Sequence, residues 1–409
     1  MDATTLSIIR EQVTRLTARD GFYRSHYKGA VNPDIQTEAD FQALPFTDKE
    51  DLRAAYPLGL SAVDDTEVVR IHSSSGTTGT PIIIPYTKRD VEDWALLFER
   101  CYRIAGVTDR DRVHITPGYG LWTAGIGFQA GAERLGAMCI PMGPGNTDKQ
   151  IQFLQDMGST VLCATSSYAL LMAEEISRRG LLGTIRLRKG VIGSERWGDK
   201  MRGRIAGELG IKLYDIYGLT EVYGPGIAIG CDYDTGMHYF DDYLYFEIID
   251  PKSGEVLPPG EFGELCITTL RKQGAPLIRY RTHDLTRLIP GTCPCGCAYP
   301  RIDRILGRTD DMVKVKGVNI FPGQVDEVLR QVDGVSSEYR VLIEHQEGKD
   351  TLTLSFETAL PPEARAGLEN NVRARFKTVV GITISPKAVS MGELPRSEKK
   401  STRIVDERH

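Results

Sequence analysis

The segment at residues 73–81, Ser-Ser-Ser-Gly-Thr-Thr-Gly-Thr-Pro, gives the strongest local signal for phosphate binding. Glycines let several backbone amides converge on one anion, and the hydroxyl groups add hydrogen-bond donors to phosphate oxygens. A Walker-type loop is excluded because no Lys-Ser or Lys-Thr pair follows the second glycine. The alternative is a Ser/Gly-rich linker, but the apolar run at residues 82–84 favours a structured loop before a strand.

Three further segments carry side chains that suit an adenine nucleotide, and the first of them leaves a predicted strand. They are residues 215–221, 280–284 and 307–317. In the first, Tyr217 can stack on a purine, Thr220 can bind phosphate and Glu221 can hold Mg²⁺ through oxygen. In the second, the Asp284 carboxylate suits two ribose hydroxyls. Each segment alone also fits a turn or a charged surface, but their order and spacing together favour a nucleotide site.

Alternating strands and helices are predicted to position these segments. Between residues 110 and 216 short apolar strands alternate with helical stretches, which indicates βαβ units and a layered sheet. A β-rich subdomain follows, and then a β-α-β-β-α-β pattern. We therefore predict an α/β fold with a large N-terminal domain, residues 1–309, and a small mobile α+β domain, residues 310–409. The predicted strands of the first region are residues 112–115, 137–142, 160–165, 189–193 and 212–216.

The first 60 residues are predicted to form short helices and turns. Charged residues interrupt every apolar stretch of residues 1–20, which is typical of an amphipathic helix rather than a signal peptide. Thr47 is predicted to cap a second helix, with Glu50 completing the capping box.

Composition excludes several classes of protein. Lys and Arg number 50 against 55 Asp and Glu, so the net charge of −5 gives no basic surface for nucleic acid. The apolar runs are far shorter than the ~20 residues that cross a bilayer. We therefore expect no nucleic-acid or membrane partner and a cytoplasmic location. Eight cysteines are too sparse for a secreted disulfide framework, which leaves thiol, thiolate or metal-ligand roles.

Together the motifs resemble those of the adenylate-forming superfamily, and the sequence is similar to the phenylacetate–CoA ligase family over nearly its whole length. The motifs are Leu-Pro-Phe-Thr-Asp-Lys-Glu-Asp-Leu at 44–52, Ile-His-Ser-Ser-Ser-Gly-Thr-Thr-Gly at 71–79, Tyr-Gly-Leu at 119–121, Gly-Ala-Glu-Arg-Leu-Gly-Ala at 131–137, Tyr-Gly-Leu-Thr-Glu at 217–221 and Leu-Pro-Arg-Ser-Glu at 394–398. The resemblance implies an N-terminal adenylate-forming domain that uses ATP, Mg²⁺ and CoA. A carboxylate attacks the α-phosphate and releases pyrophosphate, and the CoA thiol then displaces AMP from the acyl-adenylate.

The resemblance also implies a role for each matching position. The β- and γ-phosphates would be wrapped by Ser74, Ser75, Gly76, Thr77, Thr78 and Gly79. The adenine site would be walled by Gly193, Ser194, Glu195, Asp215, Ile216, Tyr217 and Gly218. Thr220 would contact the α-phosphate and Glu221 would hold Mg²⁺. Asp284 would bind the ribose hydroxyls with Arg308 beside it, and Asp310 would be the hinge of the mobile domain.

Lys400 is expected to neutralise charge on the carboxylate and the α-phosphate during adenylation. It follows the motif at 394–398, and its alternative role is a solvated charge in the C-terminal tail. The family usually has Gly then Lys here, whereas this chain has Lys399 and Lys400, so Lys399 is the alternative candidate. The phosphate loop also carries Thr80 where the family commonly has Lys, which is expected to weaken ATP binding.

The resemblance places the acyl pocket beside the adenylate. Its residues would be Tyr119, Gly120, Trp122, Thr123, Ala124, Gly125, Tyr217 and Gly218. Small residues beside aromatic ones can form a flat slot for an aryl ring, although glycines here equally suit helix–sheet packing. Trp122 and Ala124 are bulkier than the Phe and Gly expected for phenylacetate, so the acid is expected to be smaller or differently substituted.

Three thiols stand within five residues at Cys293, Cys295 and Cys297, and Cys231 and His238 lie upstream. Thiolates and imidazole together suit tetrahedral Zn²⁺, whereas free thiols in a loop are the alternative. The spacing is similar to a Cys-x6-His plus Cys-x-Cys arrangement of the ligase family. That similarity implies a closed structural zinc site formed by Cys231, His238, Cys293 and Cys295, with Cys297 as a possible replacement ligand.

Three functional hypotheses follow. The first is an aryl-acid–CoA ligase whose partners are a small carboxylic acid, ATP and CoA, and which forms a homodimer as many enzymes do. The second delivers the acyl group to a carrier-protein thiol or an amine, because the acceptor site is not legible in the sequence. The third is a nonenzymatic nucleotide-binding or zinc-stabilised interaction protein, which the joint presence of Glu221, Asp284 and Lys400 argues against.

Overall fold

The computed structural model describes residues 1–27, 34–74, 80–121, 123–195, 197–310, 313–315, 318–320, 322–346, 349–396 and 403–408. Its helices are α1 (Ala3–Ala18), α2 (Phe22–His26), α3 (Glu38–Gln42), α4 (Lys49–Ala54), α5 (Lys88–Ile104), α6 (Ala124–Leu135), α7 (Thr147–Asp156), α8 (Ser166–Arg178), α9 (Asp199–Leu209), α10 (Pro322–Arg330) and α11 (Pro362–Val380). Among the described residues, none of these helices is both long and apolar enough to cross a membrane.

The strands complete a mixed α/β fold, as predicted. They are β1 (Val68–Ser73), β2 (Ile83–Thr87), β3 (Arg112–Ile115), β4 (Met138–Pro141), β5 (Val161–Thr165), β6 (Lys189–Gly193), β7 (Lys212–Leu219), β8 (Gly224–Gly230), β9 (Met237–Tyr239), β10 (Leu244–Ile249), β11 (Gly263–Thr269), β12 (Tyr280–Thr286), β13 (Leu288–Ile289), β14 (Arg301–Ile302), β15 (Gly307–Arg308), β16 (Val313–Val315), β17 (Val318–Ile320), β18 (Tyr339–Gln346), β19 (Lys349–Thr358), β20 (Ser385–Ser390) and β21 (Ile404–Asp406).

The chain divides into two compact units. The first comprises Met1–Gly143, Val161–Cys163 and Tyr214–Arg304, and the second comprises Pro144–Thr160, Ala164–Leu213 and Ile305–His409. The division of the chain into residues 1–309 and 310–409 stays a prediction.

Parallel and antiparallel strands both occur in the first unit. Strand β3 pairs in parallel with β4 and with β5, and helix α6 connects β3 to β4, which confirms the predicted βαβ arrangement. Strands β7, β8, β9, β14 and β13 form an antiparallel series in that order. Strands β10, β11 and β12 form a second antiparallel series. The side chains of the candidate nucleotide and acyl site in this unit lie at the end of β7, within β12 and in the loop after β3.

Helices α5 and α6 pack closely in the first unit. Thr87 caps α5 by accepting a hydrogen bond from the Asp90 amide, and the Asp90 carboxylate accepts one from the Thr87 amide. Helix α5 buries Trp94 and Phe98 against α6. A Cβ atom at Gly127 would overlap Trp94, so this close approach requires glycine.

The N-terminal region confirms one local prediction and corrects another. Helix α1 buries Ile9, Gln12, Val13 and Leu16 on one face, as expected of an amphipathic helix. The prediction that Thr47 caps α4 with Glu50 was wrong. Asp48 is the N-cap, and Asp51 completes the capping box. Thr47 instead donates its hydroxyl to the Ile278 carbonyl oxygen at 2.9 Å in a fully buried position, so its side chain serves tertiary packing.

The C-terminal part of the second unit is an α+β assembly. Its sheet has the order β20, β19, β18, β21, in which β18 and β19 are antiparallel and the two outer pairs are parallel. Buried residues of α10, α11 and this sheet form one core, including Val328, Leu354 and Phe376. The predicted alternation of strands and helices is therefore present, and β17 and β21 are additional strands.

Candidate active site

The end of β7 and strand β12 bring together the side chains expected to bind adenine and ribose. The Tyr217 hydroxyl donates to Asp284 Oδ2 at 2.6 Å, and both residues are mostly buried. A hydrogen bond to a carboxylate is stronger than a neutral one, so it fixes the ring and the carboxylate relative to each other. At Gly218 a Cβ atom would overlap the Gly224 carbonyl oxygen, so the close approach of β8 explains this glycine.

In the loop after β3, Thr123 of the predicted acyl pocket lies beside Thr220, which is expected to contact the α-phosphate. The hydroxyls of Thr123 and Thr220 lie 3.2 Å apart. A Cβ atom at Gly125 would lie 2.7 Å from the Tyr119 ring, so glycine lets the start of α6 approach that aromatic side chain. Gly120 has a φ of +98°, which favours glycine. The acyl and phosphate segments therefore meet at the end of β7.

The base of the predicted phosphate loop is closed by two residues. The Ser74 amide donates to the Ile82 carbonyl oxygen at 3.0 Å, and the Ile82 amide donates to Ser74 Oγ at 3.0 Å. Ser74 and Ile82, which flank the predicted loop, are therefore held together beside the β1–β2 pair. Several predicted site residues lie outside the described residues: Ser75, Gly76, Thr77, Thr78, Gly79, Trp122, Lys399 and Lys400.

The second unit contains four of the predicted nucleotide residues: Gly193, Ser194, Glu195 and Arg308. Ser194 has a φ of +68° directly after β6. The Glu195 carboxylate accepts hydrogen bonds from the Ser167 amide at 2.8 Å and the Ser167 hydroxyl at 2.6 Å, at the first turn of α8. Arg308 forms an ion pair with Asp310, with Nε 2.7 Å from Oδ1. The adenine role of Glu195, the ribose role of Arg308 and the hinge role of Asp310 stay predictions.

A buried lysine that the sequence analysis missed lies near Glu221. Lys272 is 1% exposed, and its Nζ lies 4.4 Å from the Tyr86 ring centre and 4.8 Å from the Tyr223 ring centre. Burial lowers its pKa to about 7, although the negative charges of Asp90 and Glu221 oppose this shift. Among the described residues its Nζ has no hydrogen-bond partner, so the two aromatic faces supply its stabilising contacts.

Backbone hydrogen bonds hold Lys272 in this position. The Asp90 carboxylate accepts the amides of Gln273 and Gly274, each at 2.8 Å. His72 is also buried beside Tyr86, with ring centres 5.3 Å apart, and its Nδ1 lies 3.1 Å from the Leu121 carbonyl oxygen. The sequence analysis could not find Lys272, because its burial arises from residues distant in sequence.

The predicted zinc ligands form one cluster. The ligand atoms of Cys231, His238, Cys293 and Cys295 all lie within 4.8 Å of one another. The Cys231 and Cys293 sulfurs are 3.6 Å apart, close to the edge of about 3.8 Å expected for a tetrahedron with Zn–S bonds of about 2.3 Å. His238 Nδ1 lies 2.8 Å from the Tyr299 carbonyl oxygen, which turns Nε2 towards Cys295 at 3.3 Å.

The surroundings of the cluster favour the metal-binding thiolate form of Cys293, whereas burial raises the pKa of Cys295. Burial opposes ionisation of Cys293, but hydrogen bonds from Thr235 and the Cys295 amide lower its pKa. Cys297 does not belong to the group of four, and its amide donates to the Cys295 sulfur at 3.4 Å. The four donors fit a closed zinc site, and the replacement of a ligand by Cys297 stays a prediction.

Known proteins are similar to this chain in sequence, and two family models match most of its length. Residues 23–270 match the family described as AMP-binding enzyme, and residues 317–408 match the AMP-binding enzyme C-terminal domain. Over 397 residues the chain is 43% identical to the phenylacetate-coenzyme A ligase of Escherichia coli (strain K12), an alignment that covers 95% of this chain and 90% of that protein. The chain belongs to the phenylacetate–CoA ligase family. This confirms the predicted family and the predicted enzyme class, an AMP-forming acid–CoA ligase.

Two further known proteins are similar to this ligase over nearly its whole length. The phenylacetate-coenzyme A ligase of Thermus thermophilus is 38% identical, covering 97% of this chain and 95% of that protein. The crystal structure of 2-hydroxyisobutyryl-CoA ligase in the postadenylation state with 2-HIB-AMP has 28% identity and a TM-score of 0.90, covering 100% of this chain and 90% of that one. The same protein in its thioesterification state, with the same coverage and identity, gives a TM-score of 0.72.

Replacing Asp284 by asparagine in this ligase is expected to raise KM for ATP by roughly 10- to 100-fold, because a hydrogen bond to a charged group contributes about 1.5–3 kcal/mol. KM for the acid should change little. Tyr217→Phe removes only the donor of the bond to Asp284 and should give a smaller increase. Steady-state kinetics with each substrate varied in turn measures both constants, and an unchanged KM for ATP in Asp284→Asn would contradict the ribose assignment.

Lys272 should make the stability of the ligase depend on pH. Its pKa is about 7 in the folded chain and 10.5 ordinarily, so between these values the unfolded chain binds more protons. Burial of the charged Lys272 ammonium destabilises the folded chain. This destabilisation is complete below pH 7 and is relieved as pH rises towards 10.5, by up to about 1.4 kcal/mol per pH unit. We expect the free energy of unfolding of wild type, relative to Lys272→Met, to rise between pH 7 and 9 in urea titrations. Parallel pH profiles would contradict this.

Proposed function

We propose that this chain is an ATP-dependent acid–CoA ligase that works through an acyl-adenylate and accepts a phenylacetate-like aryl acid. Two side-chain contacts at the end of β7 support this function. There Tyr217 contacts Asp284, and Thr220 contacts Thr123. The residues expected to bind nucleotide and acid are thus neighbours, as a reaction between the acid and the α-phosphate requires.

The first step joins the acid to AMP. A carboxylate oxygen of the acid forms a bond to the α-phosphorus, and the bond from that phosphorus to the bridging oxygen of pyrophosphate breaks. Asp284 holds the ribose hydroxyls and Tyr217 lies against the adenine. Thr220 donates to the α-phosphate, and Lys400 neutralises the negative charge that the carboxylate and phosphate bring together.

Glu221 is the proposed Mg²⁺ ligand of this step. Mg²⁺ is commonly held by one or two carboxylates together with substrate phosphates, and it neutralises phosphate charge there. Glu221 directly follows Thr220 and is mostly buried, so its carboxylate is suited to a cation that enters with ATP. The buried charge of Lys272 interacts favourably with the Glu221 carboxylate when the cation is absent.

The second step transfers the acyl group to CoA. The thiol sulfur forms a bond to the acyl carbon, the bond from that carbon to the phosphate oxygen breaks, and AMP leaves. The alternative acceptor is a carrier-protein thiol or an amine. Identity of 38–43% to phenylacetate–CoA ligases supports CoA as the acceptor.

The cluster of Cys231, His238, Cys293 and Cys295 is proposed to hold a structural Zn²⁺. All four tetrahedral positions are supplied by protein, which leaves no position for a substrate. A cytoplasmic location, a homodimer and the absence of nucleic-acid and membrane partners stay predictions from the sequence.

A panel of acids tests the proposed substrate class. Pyrophosphate release from Mg·ATP and thioester formation are measured with phenylacetate, ring-substituted phenylacetates and 2-hydroxyisobutyrate, with and without CoA. We expect the highest kcat/KM with an aryl acid, together with accumulation of its CoA thioester. A higher kcat/KM with 2-hydroxyisobutyrate would contradict the aryl assignment, and pyrophosphate release without thioester would move the acceptor to a carrier protein or an amine.

A further inference from the structure

Arg396 lies four residues before Lys400 in the sequence and forms ion pairs with two carboxylates. The first belongs to Glu357 of β19, whose side chain is completely buried. Arg396 Nη1 and Nη2 donate to the two oxygens of Glu357, each at 2.8 Å. The Leu394 amide donates to the same carboxylate at 3.0 Å. Glu357 therefore anchors both the backbone and the guanidinium of the segment that leads to Lys400.

The second carboxylate belongs to Glu174 of α8. Arg396 Nε donates to Glu174 Oε2 at 2.9 Å, and Nη2 donates to Oε1 at 2.8 Å, which is a bidentate geometry. Arg204 of α9 donates to Glu174 Oε1 at 2.6 Å. Arg396 is 11% exposed and Glu174 is 20% exposed, so this pair is less screened by solvent than an ordinary surface ion pair.

The two carboxylates lie on different sides of the predicted hinge in the sequence. Glu357 and Arg396 both follow Asp310, whereas Glu174 precedes it. A backbone rotation at Asp310 would therefore carry Arg396 and Glu357 together and separate both from Glu174. The bond from Arg396 to Glu357 is independent of that rotation, and the bond from Arg396 to Glu174 depends on it.

We propose that Glu174 is a positioning residue for adenylation: by binding Arg396 it docks the 394–396 segment, which precedes Lys400 in the sequence, on α8 during the first step. Thioester formation then proceeds with the Glu174–Arg396 pair broken. This inference rests on the proposed adenylation chemistry. Its physical basis is that a bidentate pair fixes the guanidinium in both distance and orientation, four residues from the expected catalytic ammonium.

Glu174→Gln tests this role because it removes the charge and keeps the size of the side chain. We expect acid-dependent pyrophosphate release to fall by roughly 10- to 100-fold, as misplacement of a catalytic group can cost that much. Thioester formation from the preformed acyl-adenylate of the preferred acid plus CoA should be unchanged or faster. Glu174→Asp retains the charge but shortens the side chain by one methylene, and its pyrophosphate rate should lie between those of wild type and Glu174→Gln.

Glu175→Gln is the matched control. Glu175 is the next residue of α8 and pairs with Arg178 and Arg179 of its own helix end, so both half-reactions should keep their wild-type rates. Equal losses of both half-reactions in the two Glu174 variants would indicate a merely structural role, and no loss in either half-reaction would also overturn the inference. If wild type itself releases no acid-dependent pyrophosphate, the proposed function fails instead.

Discussion

Lys400→Ala is expected to lower acid-dependent pyrophosphate release by roughly two to three orders of magnitude and to leave ATP binding nearly unchanged. Removing one preorganised group that stabilises developing charge typically costs that much, because the charge is most concentrated in the transition state. The assignment comes from the position of Lys400 after the motif at 394–398. Pyrophosphate release and equilibrium binding of ATP, measured on the same preparation, separate the chemical step from binding.

The matched control is Lys399→Ala, which removes an adjacent charge of the same kind. Wild-type pyrophosphate release in Lys399→Ala would leave Lys400 as the catalytic residue. A large loss in Lys399→Ala with a normal rate in Lys400→Ala would transfer the role to Lys399. Normal rates in both variants would exclude either lysine from adenylation.

Loss of the zinc cluster should have the largest effect on stability. Cys231→Ser is expected to reduce bound zinc from one ion per chain towards zero and to lower the free energy of unfolding by on the order of 5 kcal/mol, because metal-binding free energy contributes directly to folding. Metal analysis of the purified protein and thermal unfolding with and without a chelator measure both effects.

Cys297→Ser provides the control for this prediction. Cys297 lies beside the cluster but outside the group of four ligand atoms. This variant should therefore retain zinc and lose little stability. Zinc loss in Cys297→Ser with zinc retained in Cys231→Ser would contradict the ligand set, as would wild-type protein that binds no zinc after reconstitution.

Local sequence patterns predicted the elements of the fold well where burial of a residue depends on its neighbours in the sequence. Strands β3 and β6 stand where the alternation of apolar runs with helices placed them. The N-cap of α4 could not be chosen correctly from the sequence, because Thr47 and Asp48 can both cap a helix. The choice depends on the hydrogen bond from Thr47 to Ile278, more than two hundred residues away.

The candidate site was predictable where its residues belong to recognisable motifs. Tyr217 and Asp284 were assigned from two separate segments, and their hydrogen bond brings these segments together. Lys272 had no such signal, because its environment is made by Tyr86 and Tyr223 from distant parts of the chain. The partnership of Glu174 with Arg396 was missed for the same reason, since a glutamate on a helix surface has no distinguishing local pattern.

In the proposed reaction an acyl-adenylate forms first and is then consumed by CoA. Its most direct test is a single-turnover experiment in which excess enzyme, Mg·ATP and the preferred acid are mixed without CoA, and CoA is added afterwards. We expect one pyrophosphate and one bound acyl-adenylate per ATP consumed before CoA is added, followed by equal amounts of AMP and acyl-CoA. Formation of ADP, or thioester formation without an earlier acyl-adenylate, would contradict it.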